Sequence, residues 1–402
     1  MALLILLLLC LSIFIEPSLA NASTYYVAKS GSDGMSCTQS QSQATPRLTI
    51  KAGLTCLSGS DTLYIKAGIY AESISGGIPS GRAGAPTMIR AYQSEVVTIR
   101  PTTGGQAGDA IYFTNGQNYI TLSGLIIDGS YIVNNGIRFN EAVHHIRIEN
   151  SEVKNVPAFN CIGVNGTDSY NVHHLTFSNL KVHDCGNDPL HHGIYPRGTD
   201  HIIENSEIYN ISGHGIHIYS TDPTGANDRH IVRNNRIHHV GSRGILLGGG
   251  DDHVAYNNLL WSNADGIVIG FGAPRNNKIY NNTIYAHSDD CIDIKSVAVG
   301  SIVRNNICWK NAKNAVTDNG TGTIISDHLT TDPKFRDPAT LDFRLTQGSP
   351  AINEGTTVTV VERDYLGIER PQGSSYDIGA YEWTLQSQDV SAPVAPRNLS
   401  IN

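Results

Sequence analysis

The feature that most constrains the fold is a repeat with a constant period in the second half of the chain. Asp265 and Asp289 are 24 residues apart, and the Asn-Asn pairs that begin at Asn281 and Asn305 are separated by the same interval. Apolar residues alternate with other residues inside each unit. This pattern is typical of the stacked coils of a β-solenoid, in which residues one period apart lie one strand spacing, roughly 4.8 Å, apart.

The composition agrees with an all-β chain rich in tight turns. The 402 residues include 40 Gly and only 3 Met, and 16% of residues are charged. Such a chain is poor in helix formers. The net charge of −8 argues against nucleic acid as a partner.

The first 22 residues have the pattern of a secretory signal peptide. Leu3 to Leu9 and Leu11 to Ile15 are apolar, and small residues follow at Ser18, Ala20 and Ala22. We expect cleavage after Ala20 or Ala22, although the usual positive charge near the start is missing. A membrane anchor is the alternative, but the apolar run is short of a full span. The prediction is therefore export, to the medium, the cell surface or the periplasm, with no membrane attachment after cleavage.

Six cysteines follow this segment. Cys37 and Cys56 bracket a short loop and could form a disulfide that closes an N-terminal cap in an oxidising compartment. The other four lie inside repeats without a metal-type Cys-x-x-Cys spacing, so we expect them to be small buried apolar residues. They are Cys161, Cys185, Cys291 and Cys308.

A recurring X-Gly-Ile-X-Ile unit aligns six coils. Residues two apart in a strand share a face, so the third and fifth positions should fill the core and the first, fourth and sixth should face outward. The first position contributes His192, His214, Arg243, Asp265, Asp290 and Asn314. The fourth contributes Tyr195, His217, Leu246, Val268, Asp293 and Thr317, and the sixth contributes Arg197, Tyr219 and Lys295.

A column of asparagines also recurs along the repeats. Stacked amides can hydrogen-bond to one another and satisfy backbone groups at a bend, so the column predicts an asparagine ladder. Its members are Asn150, Asn179, Asn205, Asn235, Asn258, Asn282 and Asn306.

The N-terminal region resembles a segment common to secreted right-handed parallel β-helix proteins of the pectate-lyase-like superfamily. The resemblance rests on Tyr25-Tyr26-Val27-Ala28, Gly31-Ser32-Asp33, Gly68-Ile69-Tyr70 and Glu72. It implies an all-β, right-handed, single-stranded parallel β-helix with an N-terminal cap, to which a short helix within residues 48–54 would contribute, and a C-terminal closing segment.

The predicted organisation has five parts. The signal peptide at 1–22 precedes a cap with the first coils at 23–116 and the central repeats at 117–322. C-terminal coils and a cap occupy 323–384, and 385–402 form a linker or a flexible tail.

Four aspartates on two adjacent coils predict a calcium site. Asp265, Asp289, Asp290 and Asp293 would repel one another without a cation, and carboxylate oxygens suit Ca²⁺. Their spacing of 24, then 1, then 3 resembles the calcium motif of family-9 pectate lyases, in which four aspartates on adjacent coils hold a catalytic Ca²⁺.

This resemblance implies β-elimination in an acidic, uronate-containing polysaccharide. The metal stabilises charge that develops at the uronate carboxylate while a base removes the C5 proton. In the family the base is a lysine on a nearby coil, but this chain has Thr317 at the aligned position. Lys295 is the nearest substitute and Arg243 a second candidate, ahead of Lys310 and Lys313. Neighbouring carboxylates would raise the pKa of Lys295 unless Ca²⁺ neutralised them.

A histidine-rich region is a second candidate site, and we assign it to substrate binding. It loosely resembles the sites of uronan C5-epimerases and alginate lyases built on β-helices, where His or Tyr takes the C5 proton and Arg neutralises the carboxylate. The residues are His192, Tyr195, Arg197, His214, His217 and Tyr219.

Two further readings remain open. Asn263-Ala264-Asp265 and Asp289-Asp290-Cys291 resemble parts of the polygalacturonase site of glycoside hydrolase family 28, but Gly213-His214-Gly215 precedes the acidic pair instead of following it. A non-catalytic carbohydrate-binding or surface β-helix would have the same repeats without a base. Under either function we expect a monomer.

The remaining histidine pairs are predicted to lie at strand ends or turns, where solvation explains them. Zinc binding is possible there, but no tight ligand spacing supports it. The pairs begin at His144, His173 and His238.

Overall fold

The computed structural model describes residues 22–103, 108–165, 171–220 and 227–384. The predicted signal peptide, apart from its last residue, and the predicted tail at 385–402 lie outside the described residues. The described chain winds into a right-handed parallel β-solenoid of about 10 turns.

Each coil contributes one strand in turn to three parallel sheets, named here A, B and C. Sheet A contains Thr24–Val27, Thr62–Ile65, Thr87–Ala91, Asn118–Ser123, His144–Glu149, Thr176–Ser178, Ile202–Glu204, Ile231–Arg233, Val254–Tyr256, Lys278–Tyr280, Ile302–Arg304 and Ile324–Ser326. Sheet B contains Gly68–Tyr70, Val97–Ile99, Leu125–Asp128, Glu152–Val156, Lys181–Cys185, Glu207–Ile211, Arg236–Val240, Leu259–Trp261, Thr283–Tyr285 and Ile307–Trp309. Sheet C contains Ile74–Ser75, Ile111–Phe113, Ile137–Phe139, Ile162–Val164, Ile194–Tyr195, Ile216–Tyr219, Ile245–Gly248, Ile267–Ile269, Ile292–Ile294 and Val316–Asp318.

The register of sheet C follows the alignment of the X-Gly-Ile-X-Ile units. Ile267 pairs with Ile292, and Val268 pairs with Asp293, which in turn pairs with Thr317. Ile267 and Ile292 are fully buried. Because inward isoleucines lie above one another from coil to coil, the outward positions of successive coils also form straight columns.

The structure has two neighbouring asparagine ladders, so the prediction of a single column was wrong. Asn235, Asn258, Asn282 and Asn306 form the inner one, in which each Nδ2 donates to the next Oδ1 at 2.9–3.0 Å. Asn150, Asn179 and Asn205 belong instead to an outer column of left-handed residues. The Nδ2 of Asn179 donates to the Oδ1 of Asn150 at 2.6 Å. The error came from treating adjacent positions of an Asn-Asn pair as equivalent.

All six described cysteines are paired. Cys37–Cys56 agrees with the predicted bridge, whereas the expectation that the other four are simply buried apolar residues was wrong. Cys161 bonds to Cys185 and Cys291 bonds to Cys308, with Cα atoms 5.6 and 5.7 Å apart. Each pair joins neighbouring parts of the solenoid wall, which sequence spacing alone did not reveal.

A short α-helix, Ile50–Leu54, lies in the N-terminal cap, as predicted. The hydroxyl of Thr49 accepts the N–H of Ala52, and the Glu72 carboxylate accepts the N–H groups of Ile50 and Lys51 at 2.9 Å. A 3₁₀ turn, Gln39–Gln41, precedes the helix.

The C-terminal segment packs along the outside of sheet B. It contains the antiparallel strands Phe335–Asp337 and Asp342–Leu345, joined by a 3₁₀ turn at Pro338–Thr340. Phe335 and Phe343 pack against the outward face formed by Trp261, Tyr285 and Trp309. This side of the last coils is therefore closed, and the outward side of sheet C carries the predicted site.

Candidate active site and metal centre

The predicted site residues lie on the outward side of sheet C, called here the site face. Its histidine end holds His192, His214 and His217, and its acidic end holds the four aspartates. Arg243 lies between them, on the coil next to Asp265. In the same middle region the outward side chains of Leu246 and Val268 are buried.

Three of the four aspartates converge. Carboxylate oxygens of Asp265, Asp289 and Asp290 all lie within 4.8 Å of one another. The backbone N–H of Asp290 donates to Asp265 Oδ1 at 3.3 Å, and Asp290 Oδ1 accepts the N–H of Asn314 at 2.9 Å. The sequence prediction that a one-coil repeat gathers these side chains agrees with this geometry.

Asp293 lies beside this cluster but is oriented differently. One of its carboxylate oxygens, Oδ2, pairs with the ammonium of Lys295. The other, Oδ1, is buried and has no hydrogen-bond partner among the described residues. Asp293 is 5% exposed. An unpartnered buried carboxylate oxygen is costly, so this atom marks a position where a cation or a donor is favoured.

The aspartates of the cluster lie close enough to repel one another. Burial raises the pKa of Asp265, and the negative charges of Asp289 and Asp293 raise it further, whereas Arg243 opposes the increase. Without this repulsion the pKa of Asp265 would be lower, so its carboxylate would stay ionised down to a lower pH.

Basic side chains partly neutralise the aspartates, which the sequence analysis had not anticipated. Arg243 Nε lies 3.5 Å from Asp265 Oδ2, and Lys313 Nζ lies 2.6 Å from Asp289 Oδ1. The ammonium of Lys313 is exposed, and its pairing with Asp289 raises its pKa. The signal was available, since Lys313 follows Asp289 by one period of 24 residues.

The donor set suits Ca²⁺. Calcium takes six to eight oxygen ligands at roughly 2.3–2.6 Å, so ligand oxygens of one ion lie within about 5 Å of one another. The three converging carboxylates meet this condition, and Asp293 Oδ1 is the additional oxygen that lacks a partner. Lys313 can leave Asp289 easily because an exposed ion pair contributes little free energy.

Gly270 makes room for Lys295. A Cβ at position 270 would lie 2.4 Å from Lys295 Cγ, so any larger residue there would displace the lysine. The lysine ammonium consequently reaches back to Asp293 at the edge of the cluster. Thr317 occupies the strand position next to Asp293, so the lysine of the resembled family has no counterpart at that position.

The histidine end is a connected network. His217 Nδ1 lies 2.7 Å from His192 Nε2. The backbone N–H of His214 donates to His192 Nδ1 at 3.1 Å, and that of Arg243 donates to His214 Nδ1 at 3.2 Å. Because Nδ1 of His192 and His214 accept backbone protons, their own protons lie on Nε2, and His192 therefore donates to His217.

These three imidazoles are neutral. Burial, and then the neighbouring His214 and His191, lowers the pKa of His192 to about 3, and burial, and then Arg243, lowers that of His214 to about 3. The pKa of His217 is also lowered, by burial and then by the neighbouring His192 and His214. The network thus presents polar but uncharged groups at neutral pH.

Tyr195, Arg197 and Tyr219 complete this end. The guanidinium of Arg197 donates to Tyr195 Oη through Nε at 3.1 Å and Nη2 at 2.7 Å. The Tyr195 ring lies 5.0 Å from that of His217, and Tyr219 stacks on His217 at 5.3 Å. All six residues assigned to substrate binding are therefore brought together.

Comparison with known proteins agrees with this architecture. Residues 160–329 match the family model described as the right-handed beta helix region. The chain is a right-handed parallel β-helix protein. No curated protein matches its sequence.

Solved structures share the β-helix over most of the chain. A pectate lyase, Pel9A, has 16% identity and a TM-score of 0.63, with 90% of this chain and 96% of that chain covered. XylC, solved in complex with xylose, has 12% identity, a TM-score of 0.56 and coverages of 89% and 98%. The Dettilon tailspike protein has 15% identity, a TM-score of 0.51 and coverages of 78% and 63%. At these identities the likeness shows the fold alone.

None of the helices in the described part of the β-helix protein is long and apolar enough to cross a membrane. Its three disulfides are typical of proteins that mature in an oxidising compartment.

Proposed function

We propose that this β-helix protein is an exported, Ca²⁺-dependent lyase that cleaves a uronate-containing polysaccharide by β-elimination. The observation that carries the proposal is the convergence of Asp265, Asp289 and Asp290 beside the unpartnered oxygen of Asp293. The disulfides support export, and the fold is one that a protein named as a pectate lyase also has.

The four aspartates would hold the ion. When bound, Ca²⁺ would neutralise the uronate carboxylate and make the neighbouring C5 proton more acidic. Asp290 is fixed by the N–H of Asn314, so its carboxylate is oriented before any ligand arrives. Such preorganisation lowers the entropic cost of forming the site.

Lys295 is the proposed base. Its ammonium lies at the edge of the cluster, where Gly270 leaves space for it, so it can reach a sugar held over the aspartates. To accept the C5 proton it must be deprotonated and give up its pairing with Asp293. Arg243 is the second candidate, but a guanidinium holds its proton at all accessible pH values, so its proposed role is to neutralise a substrate carboxylate.

The histidine end would bind more distant sugars of the same polymer. The coil of His192 and the coil of Asp290 are four strand spacings apart, which corresponds to roughly 19 Å along the solenoid axis. An extended polymer laid along the site face would meet Arg197 and Arg243 as cationic contacts. Tyr195 and Tyr219 offer rings and hydroxyl groups against which sugars can pack.

The decisive experiment is incubation of the secreted protein with pectate and with alginate, with Ca²⁺ or with a chelator. Elimination produces unsaturated uronate ends that absorb ultraviolet light, and we expect this absorbance only with Ca²⁺. Lys295→Ala should abolish it, whereas Lys278→Ala, which removes a lysine paired with Asp252 on sheet A, should not. New reducing ends without the chromophore would refute elimination and indicate hydrolysis.

A non-catalytic carbohydrate-binding protein is the second candidate. Two observations favour it: Thr317 stands at the aligned position of the base, and Lys295 is held in an ion pair. Retention of the protein on immobilised pectate or alginate, without any product, would select this function over the lyase.

A further inference from the structure

Two His-His pairs come together on adjacent coils, away from the site face: one begins the sheet A strand His144–Glu149, and the other lies just before the sheet A strand Thr176–Ser178. His144 and His173 are bridged as parallel neighbours on adjacent coils. His145 and His174 both have left-handed backbone conformations, with φ of 53°. In each pair this conformation turns the second ring toward the first.

The four rings form a compact array, called here the histidine quartet. The Nδ1 atoms of His144 and His145 are 2.8 Å apart, and those of His173 and His174 are 2.9 Å apart. Across the coils, His144 stacks on His173 and His145 stacks on His174, each with ring centroids 4.7 Å apart. The sequence analysis expected these residues to be separate solvated turn positions, and the structure instead gathers them.

The spacing of the nitrogens suits one transition-metal ion. Ligand atoms of His144, His145 and His173 all lie within 4.8 Å of one another. Nitrogens at roughly 2.0–2.1 Å from a tetrahedral zinc would be about 3.4 Å apart, which is inside the 4.8 Å span of these three ligand atoms.

The Nδ1 contacts within each pair are compatible with ligation. Two close Nδ1 atoms share a single proton, so moving it to the more exposed Nε2 would leave both lone pairs facing inward.

The surroundings of the quartet are ordered. The Tyr119 ring stacks on His145 at 4.6 Å on one side. On the other side the next coil supplies Asp200, whose carboxylate accepts two hydrogen bonds from Arg229 and whose charge acts on His173. The quartet is therefore flanked by a packed ring on one side and by a fixed carboxylate on the other, which are features that orient metal ligands.

We propose that the histidine quartet is a binding site for Zn²⁺ or a chemically similar divalent transition metal. Nitrogen-only donors select such ions over Ca²⁺, so this site and the acidic cluster have separate metals. The site is independent of the proposed lyase activity. Its position on sheet A places it outside the site face, so its role is structural, tying two coils together.

The chain contains a matched control in His238 and His239. Their Nδ1 atoms are also 2.8 Å apart, and His239 is left-handed, but no second His-His pair stacks on them. His238 instead stacks between Tyr209 and Trp261. This single pair tests whether zinc binds to any adjacent histidines or needs the quartet.

The test is Zn²⁺ titration by calorimetry of the secreted chain without an affinity tag, at pH 7.5 and with excess Ca²⁺ to occupy the acidic cluster. We expect one tight Zn²⁺ per chain and a tenfold or greater loss of affinity in His145→Ala/His174→Ala. His239→Ala should bind as the unaltered chain does. Circular dichroism of each variant would establish that it has folded.

Cobalt substitution gives an independent readout. Co²⁺ in a tetrahedral nitrogen site has intense visible absorption, which should appear on titration and disappear in the double variant. Unchanged Zn²⁺ affinity in His145→Ala/His174→Ala, or an equal loss in His239→Ala, would overturn the proposal. So would Zn²⁺ binding that Ca²⁺ displaces, since the ion would then occupy the aspartates.

Discussion

The two ends of the site face use the same strand positions in different ways. At the histidine end, the Nδ1 atoms of His192 and His214 are satisfied by backbone N–H groups of the next coil. At the acidic end, Asp293 keeps a buried oxygen that has no hydrogen-bond partner among the described residues, and Asp289 is paired with the exposed Lys313. One end is internally satisfied, whereas the other can gain from a ligand.

This difference shows that a column of polar residues in a solenoid is informative only once its hydrogen bonds are known. Elsewhere in the chain, His201 and His230 form a similar ladder: the N–H of His201 donates to Nδ1 of His230 at 3.1 Å. His287 and Asn311 form another, which shows that histidine and asparagine are interchangeable in this role.

The largest expected effect is a loss of stability at acid pH that comes from the histidine end. His192 and His214, with pKa values lowered to about 3, stay neutral in the folded chain while the unfolded chain takes up protons below about pH 6.5. Their contribution to stability is complete above that pH and decreases as the pH falls toward 4, by roughly 3 kcal/mol per imidazole. Urea unfolding at pH 7, 5.5 and 4 would measure this decrease.

Buried carboxyl groups act in the opposite direction. The pKa values of Asp109, Asp364 and Asp377 are raised to about 6 by burial, so the folded chain binds their protons before the unfolded chain does. The buried histidines outnumber these carboxyl groups, because His201, His253 and His287, with pKa values of about 4, add to the histidine contribution. Acid should therefore lower the free energy of unfolding overall. A stability that rises from pH 6.5 to pH 4 would contradict this account.

Substitution of His192 tests whether the histidine end is only a ladder. His192→Ala leaves the N–H of His214 without an acceptor and creates a cavity, so we expect a loss of about 3 kcal/mol in unfolding free energy. His192→Asn should lose about 1 kcal/mol, because the amide oxygen can accept the same N–H. Urea unfolding measures both variants.

The lyase activity of His192→Asn then decides whether His192 contacts substrate. Full retention of lyase activity in His192→Asn would make His192 a ladder residue and remove it from the substrate-binding set. A loss of activity despite near-native stability would place it among the residues that contact substrate.

At the acidic end, Asp265→Asn should have little structural effect and a large functional one. Removing its charge relieves repulsion from Asp289 and Asp293. We expect Ca²⁺ affinity to fall by about 100-fold while the Ca²⁺-free thermal midpoint stays constant or rises slightly. Ca²⁺ calorimetry and thermal unfolding, each with and without Ca²⁺, measure the two quantities. Unchanged affinity would exclude Asp265 as a ligand.

Lys313→Ala should have the smallest effect. It removes an exposed ion pair with Asp289, so the thermal midpoint of unfolding should be nearly unchanged. Because the lysine competes with the metal for that carboxylate, Ca²⁺ affinity should rise by about threefold to fivefold. Lys278→Ala, which removes an exposed pair on sheet A, should leave Ca²⁺ affinity unchanged.

Much of the fold and part of the site were predictable from the sequence because the period is nearly constant. Once Ile267 is aligned with Ile292, the neighbours of Asp265 and Asp293 follow from strand register. What periodicity does not specify is side-chain orientation within a column. The pairing of Asp293 with Lys295 depends on the space above Gly270, a local steric fact.

The histidine quartet was predicted less well than the site face, for a related reason. The His144 and His173 pairs are 29 residues apart, so an irregular coil length concealed their stacking. The disulfides were missed because Cys291 lies just before a strand of sheet C and Cys308 lies in a strand of sheet B, a relation that a linear period cannot express. Contacts between coils of unequal length, and contacts between different sheets, therefore could not be predicted from the repeat period.

The equal rise of the coils gives the site face a discrete length. Each coil between His214 and Asp290 advances the surface by one step of roughly 4.8 Å, so loss or duplication of one whole coil would move the two ends by that step and leave each end intact. Evolution of this chain by gain or loss of whole coils would thus change the distance between the histidine end and the acidic end in equal steps.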